Sequence, residues 1–288
     1  SAAWRDRKQD MVMKKHPLLA ASAIKKFRKD VYAYYKTHKR VLPWRDIKDP
    51  YRVLVSEVML QQTQVRRVLE KYEQFLRAFP NLGALSRAAL RDIMRVWQGL
   101  GYNRRALALK DLASVIAARH RGKVPQTIEE LEALPGIGKV SARAIYAFAY
   151  NKPSVFIETN IRSVFIHYFF KDARAVTDED IASLVAQTLD RRNPRQWYYA
   201  LMDYGVALKE AHPNPGRKSA HYRKQAPFQG SRRQVRGAVL KMVLARRAMR
   251  EKELERIIPA APARIKEAIG GLVREGMLTK RRATISIA

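Results

Sequence analysis

Two glutamates stand out for what surrounds them. Glu57 lies in VLVSEVML, with apolar residues on both sides. That setting disfavours the carboxylate, raises its pKa and keeps a proton donor available near neutral pH. Glu158 ends the apolar run PSVFIE and is followed by Thr159 and Asn160, residue types that cap helices. A carboxylate just ahead of a helix starting near Ile161 sits at the positive end of its dipole and is expected to stay ionised. Acids held in opposite protonation states are the pattern that breaks glycosidic bonds: one protonates the leaving group, the other stabilises the positive charge left behind. Either glutamate could instead serve the fold, Glu57 as a buried partner of an arginine and Glu158 as support for the cap.

Charge narrows the partner. The 57 Lys and Arg residues against 26 Asp and Glu give a net charge of +31, which favours a polyanion. The basic residues run along the whole chain instead of forming one amphipathic anchor, so nucleic acid is favoured over an anionic membrane. There is no cysteine, which excludes disulfides, zinc thiolate sites and iron–sulfur clusters. The six histidines show no pair at metal-ligand spacing, so no metal site is expected. No apolar run approaches the roughly 18–20 residues that span a bilayer, and the N-terminus lacks the order of a signal peptide. A cytoplasmic protein is expected, nucleoid-associated if the source is prokaryotic.

The elements that must position these residues are mostly helical. Apolar residues recur at three and four places through the first 208 residues, as at Leu90, Ile93, Met94 and Trp97. Proline and glycine at Pro80, Gly99, Gly101, Pro125, Pro135–Gly138 and Pro153 cut the pattern into helices of about 10–15 residues. From Lys209 to Arg233 the periodicity fails, which marks a basic linker or a DNA-hugging loop. Arg217, Lys218, Arg223 and Lys224 are its candidate phosphate ligands. Beyond it, helices are predicted over Val235–Arg250 and Glu253–Ile258 and from Pro262. GMLTKRRATISIA then alternates like a strand pair with a basic turn at Lys280, Arg281 and Arg282. This describes a winged-helix-like DNA-binding domain at 234–288; a helical cap with a β-tail is the alternative.

LPGIGKVSARAIYAF places Gly136 and Gly138 between two helical patterns. Such glycines allow positive φ and close approach of a phosphate to a helix N-terminus, with Lys139 beside it. LPGIG resembles the helix-hairpin-helix of the HhH-GPD superfamily of DNA glycosylases. LPWRDIKDPYRVLVSEVMLQQTQV and WQGLGYNRRALAL resemble its MutY-type adenine glycosylase branch. The resemblance covers roughly residues 40–208. It implies a mainly α fold of two helical subdomains, residues 1–47 with 156–208 and residues 48–155, with the active site in the cleft between them. It also implies a base-flipping enzyme that cuts the N-glycosidic bond in duplex DNA holding a mismatched or damaged base, acting as a monomer.

By the same resemblance Glu57 protonates the adenine ring, Tyr102 assists at the nucleoside and Asn160 orients the water or the acid. Gln61 and Gln62 probe the stack beside the flipped base, and Trp44 and Arg45 line the base pocket. A monovalent cation at the hairpin is compatible with the resemblance. Val140 occupies the place where bifunctional relatives carry a lysine nucleophile, so an abasic site is expected without strand cleavage. The chain departs from the pattern in three ways. Glu158 stands where the relatives carry aspartate, an extra methylene that moves the carboxylate by roughly 1 Å. The four cluster cysteines that usually follow MDYGVAL are missing, and so is the Nudix-like domain that recognises 8-oxoguanine. Adenine opposite 8-oxoguanine or guanine is the expected target. Another mismatched or modified base, or lesion binding without cleavage, remains open.

Overall fold

A computed structural model of the chain describes residues 18–288. Its helices are α1 (Ala21–His38), α2 (Pro50–Leu60), α3 (Val65–Ala78), α4 (Leu82–Arg87), α5 (Leu90–Trp97), α6 (Arg104–Arg119), α7 (Ile128–Glu132), α8 (Lys139–Tyr150), α9 (Thr159–Phe169), α10 (Asp178–Thr188), α11 (Pro194–Ala211), α12 (Arg232–Arg246), α13 (Glu251–Ile257) and α14 (Pro262–Arg274). Three short strands, β1 (Ala248–Arg250), β2 (Leu278–Arg281) and β3 (Thr284–Ile287), complete the described residues.

The chain divides into two compact units. One holds residues up to Val41 together with Tyr146–Arg223, the other Leu42–Ile145 together with Lys224–Ala288. The breaks fall at 41/42 and 145/146, not at 47/48 and 155/156, for reasons of packing. Leu42 and Trp44 are buried, and Trp44 packs edge-on against Tyr72 of α3 at 5.4 Å. Phe148, near the end of α8, instead stacks on Tyr199 of α11 at 4.7 Å.

In the first unit α9 and α11 close around Phe27 of α1. Its ring meets Phe165, Tyr168, Phe169 and Trp197 edge-on at 4.8–5.7 Å. Edge-to-face packing of this kind adds about 0.5–1.5 kcal/mol per pair beyond area burial. The buried Asp203 of α11 accepts from the Arg40 backbone N–H at 3.0 Å and from its Nε at 2.6 Å, tying the end of α1 to α11. The stretch predicted as linker is partly folded here. Helix α11 runs on to Ala211, and Pro215–Lys218 forms a 3-10 turn. The Val176 N–H donates to Lys218 O and the Ala220 N–H to Val176 O, both at 2.9 Å. A Cβ at Gly216 would lie 3.2 Å from Ser163 Oγ of α9, so the turn is seated on that helix.

In the second unit α2 starts cleanly because Asp49 accepts from the Tyr51 N–H at 2.9 Å and Pro50 occupies the first turn. Helices α3 to α6 pack beside it, with Phe75 edge-on to Trp97 at 6.0 Å. Lys110 Nζ donates to the carbonyls of Ser86 and Ala88, closing the end of α4. The C-terminal segment belongs to this unit. Its strands form an antiparallel sheet of order β1-β3-β2, with Met249 and Lys280 both opposite Ile285. The sequence predicted one helix from Val235 to Arg250. The helix stops at Arg246 because Arg247 takes φ 66°, and the next residues become an edge strand. Lys280 and Arg281 lie on β2, so the turn itself is Arg282–Ala283. Arg91 donates to Leu244 O at 3.3 Å and Arg104 pairs with Glu275 at 2.9 Å, anchoring this segment on α5 and α6.

Candidate active site

Glu57 sits on α2 between residues that are almost wholly buried: Leu54, Val55, Ser56, Val58 and Met59. The residue itself is half-buried, less enclosed than its apolar flanks suggest. The carbonyl end of α2 is held by a residue that sequence reasoning passed over. Arg105 of α6 is buried, and its Nη1 donates to the carbonyls of Val58, Met59 and Gln61 at 2.9, 2.7 and 2.6 Å. Its Nη2 donates to Thr63 Oγ1, Leu100 O and Gly101 O at 2.8, 3.3 and 3.0 Å. Burial lowers its pKa to about 10, still a cation at neutral pH. One guanidinium thus joins the helix of Glu57, the Gln61–Gln62 loop and the turn that carries Tyr102. Its only sequence signal was the repeated arginine of YNRRAL.

Gln62 and Tyr102 both adopt positive φ, 54° and 46°, a conformation that non-glycine residues adopt at a cost of about 1–3 kcal/mol and that gathers at functional sites. Gln62 is exposed and Gln61 half-buried. Gln61 Nε2 donates to Gly136 O at 3.3 Å and Ser141 Oγ at 3.1 Å, joining this loop to the hairpin. Tyr102 is exposed, with its hydroxyl hydrogen-bonded to Gln225 Nε2 and, at 3.3 Å, to Arg233 Nη1.

The hairpin joins α7 to α8, with Leu134 and Ile137 buried beneath it and Gly136, Gly138, Lys139 and Val140 exposed. Its two glycines do different work. Gly136 has φ 76°, and a Cβ there would stand 2.6 Å from Ala108 Cβ of α6. Gly138 keeps ordinary φ and faces open space, so it needs no left-handed geometry and leaves the helix start accessible.

Glu158 corrects the sequence reading of its cap. Neither Thr159 nor Asn160 caps α9; Glu158 does so itself. Its Oε1 accepts from the N–H groups of Asn160 and Ile161 at 2.7 and 2.8 Å, and its Oε2 accepts from Asn160 Nδ2 at 3.1 Å. The extra methylene relative to aspartate is absorbed because the side chain folds back onto its own helix. The helix start is not the largest influence on this acid. Burial pushes the carboxyl above its ordinary value, outweighing the two backbone donors, Lys209 and Arg162. Lys209, predicted to start the linker, lies on α11, where burial lowers its own pKa and Glu158 raises it. Asn160 Oδ1 is buried without a hydrogen-bond partner. Gly205 sets the spacing here: a Cβ would fall 2.8 Å from Asn160 C and Cβ, and nearer still to its carbonyl oxygen.

The remaining candidates are dispersed. Trp44 and Arg45 are buried, and Trp44 is core, not an open pocket wall, because its ring packs on Tyr72. Arg217, Arg223, Lys224, Arg281 and Arg282 are exposed, as phosphate ligands must be. Lys218 donates to Lys171 O and Lys280 pairs with Glu251, so these two already have partners. Among the described residues no group of three or more His, Asp or Glu could hold a metal ion, and no helix is long and apolar enough to cross a membrane.

Residues 55–188 match the model of the HhH-GPD superfamily of base excision DNA repair proteins. An adenine DNA glycosylase of Mycobacterium tuberculosis is 34% identical over 236 residues, covering 75% of this chain and 78% of that one. The chain belongs to the adenine DNA glycosylase family. A second such relative, from Buchnera aphidicola, is 35% identical over 179 residues, 61% of this chain. This chain spans 50% of that relative's length. A solved thermostable thymine-DNA glycosylase shares the fold at TM-score 0.58 and 24% identity, over 64% of this chain and 87% of its own. Both glutamates, Tyr102, the Gln61–Gln62 loop and the hairpin fall inside the superfamily span. The C-terminal strands and α12 to α14 fall outside it. The iron–sulfur cluster associated with many glycosylases of this kind does not fit this chain, which has no cysteine. Backbone pairing to Val176 and the seat of Gly216 on α9 order the corresponding stretch instead.

Proposed function

We propose that this adenine DNA glycosylase family member excises adenine mispaired with 8-oxoguanine or guanine from duplex DNA and leaves an abasic site. The observation that carries the reading is the Glu158–Asn160 pair: a carboxylate accepting three N–H donors beside a buried amide oxygen without a partner. Glu57 donates a proton to a ring nitrogen of the flipped base, making it a neutral leaving group. Positive charge then grows on the deoxyribose, and the Glu158 carboxylate stabilises it. Asn160 Oδ1 accepts a hydrogen bond from the attacking water and aims its oxygen at C1′; one proton of that water is lost to solvent after the bond forms, and the other stays on the product hydroxyl. Val140, exposed at the start of α8, offers no amine for a Schiff base, so strand cleavage requires added alkali.

The hairpin N-terminus with Lys139 takes a phosphate without reading sequence. The C-terminal helices and three-stranded sheet act as a winged-helix unit whose Arg281 and Arg282 add backbone contacts. The net charge of +31 implies that affinity falls steeply with salt. A single-turnover assay tests the reading on duplexes with adenine opposite 8-oxoguanine, guanine or cytosine, and with uracil or thymine opposite guanine. Alkali-dependent cutting at adenine, with Glu57→Gln losing turnover but keeping DNA affinity, is the expected result. Tight binding by the unaltered chain without cutting any base would refute it.

A further inference from the structure

Gln61, Gln62 and Tyr102 open on one side onto a cleft of about 1310 Å³ within the second unit, whose far wall is the C-terminal segment. Ten Lys or Arg residues line it against two Glu. Both carboxylates are engaged, Glu275 with Arg104 and Arg236 and Glu267 with Arg232. Arg67, Lys241 and Arg274 are left exposed on the walls. Such an excess of cation calls for a polyanion. Among the other lining groups are some that bind bases: the amides of Gln62, Gln64 and Gln225, and the ring of Phe228, 60% exposed. Amide edges hydrogen-bond bases and exposed aromatics stack on them.

The Gln61–Gln62 loop separates this cleft from the hairpin. Gln61 hydrogen-bonds to Gly136 O and Ser141 Oγ on the hairpin side, while the loop forms the cleft wall on the other. This rests on the function proposed above, with the hairpin phosphate taken to belong to the strand that carries the excised base; the strand across the loop is then its complement. We infer that this cleft seats the complementary strand, and that Gln225 and Phe228 contact the base left unpaired when its partner is flipped. Opposite-base selectivity in this chain then depends on the segment Gln225–Arg233, which also holds the Tyr102 hydroxyl.

The test uses the full chain with a photoreactive benzoylphenylalanine at position 228. It is bound to a duplex containing a non-hydrolysable 2′-fluoro-adenosine opposite guanine, with either strand labelled. Crosslinking to the guanine strand within a few nucleotides of the mismatch is expected. Crosslinking to the adenine strand, or none in a complex that forms, overturns the inference. Gln225→Ala and Phe228→Ala are then compared by single-turnover excision of adenine opposite 8-oxoguanine, guanine and cytosine. The ratios among the three rates should change by roughly tenfold or more. Equal loss on all three pairs, or no change, overturns it. Should the unaltered chain excise nothing, the function reading fails, while the crosslinked strand still decides this inference.

Discussion

Glu158→Gln removes one charge from the start of α9 and leaves its atoms almost unmoved. The glutamine oxygen can accept from the Asn160 and Ile161 N–H groups as Oε1 does now. Its new amide faces Asn160 Nδ2, so the Asn160 amide must turn over. That turn points Asn160 Oδ1, at present buried and unpartnered, at the new N–H donor. The new bond replaces the one from Asn160 Nδ2 that the turn breaks, so the number of hydrogen bonds is unchanged, and the gain is that the cost of burying an ionised carboxyl disappears. The sign follows from the direction of the shift: the folded carboxyl lies above its ordinary value of 4.5, net of the help from Lys209 and Arg162. Glu158 therefore contributes most to stability below that value, and the contribution is lost as pH rises through the folded pKa. At pH 7 the variant should melt roughly 2–4 °C higher for each kcal/mol gained. Near pH 4, where Glu158 is largely protonated, the gap should narrow. Single-turnover excision should fall by about 100-fold or more. Thermal melts of both proteins across pH 4–8 check the first claim. A variant that melts lower at pH 7, or a gap that widens as pH falls, would refute the account of this buried acid.

Gly205→Ala places a methyl group against the Asn160 backbone; the resulting shift of α9 should destabilise the protein by about 1–3 kcal/mol and cut excision by about 100-fold, with KM nearly unchanged. Gly136→Ala brings its Cβ against Ala108 and strains a positive φ, costing about 1–3 kcal/mol. Adding Ala108→Gly should recover the steric part but not the φ part in chemical denaturation, so full recovery or none would contradict the geometry. Arg105→Ala takes its donors away from seven acceptors and should cost about 3 kcal/mol or more. Arg105→Lys should recover little of it, because an ammonium lacks the planar fork; a lysine variant as stable as the parent in urea titration would dispose of that reasoning.

How far the sequence spoke depended on how local the interaction was. The hairpin was legible because LPGIG writes a turn into five consecutive residues, and α2 because Asp49–Pro50 starts it. The strand β1 was not, since Ala248–Arg250 is ordered by pairing with Thr284–Ser286, more than thirty residues away. Trp44 shows the same limit from another side. Its type and motif suited a pocket, but Tyr72, which makes it core, is contributed by a different helix. Arg105 was missed because nothing in an arginine's type says that seven acceptors from three segments converge on it.

Glu158 joins these limits to function. Its chemical type and its place ahead of a helix were readable, and the helix start is where it lies. Which residue caps the helix was not, because Thr159, Asn160 and Glu158 are all able to accept at a helix start, and only the backbone, extended at Glu158 and helical from Thr159, decides among them. The packing of α9 against α11 turns on Gly205, whose missing Cβ lets α11 approach the Asn160 backbone and brings Lys209, one turn further along the same face, to the carboxylate it helps to hold ionised. In this family member the work of keeping a buried acid usable is therefore divided between α9's own N–H groups and a lysine of α11. A carboxylate held that way can be one bond longer than aspartate, because its position is set by the helix end onto which it folds and not by the length of its side chain.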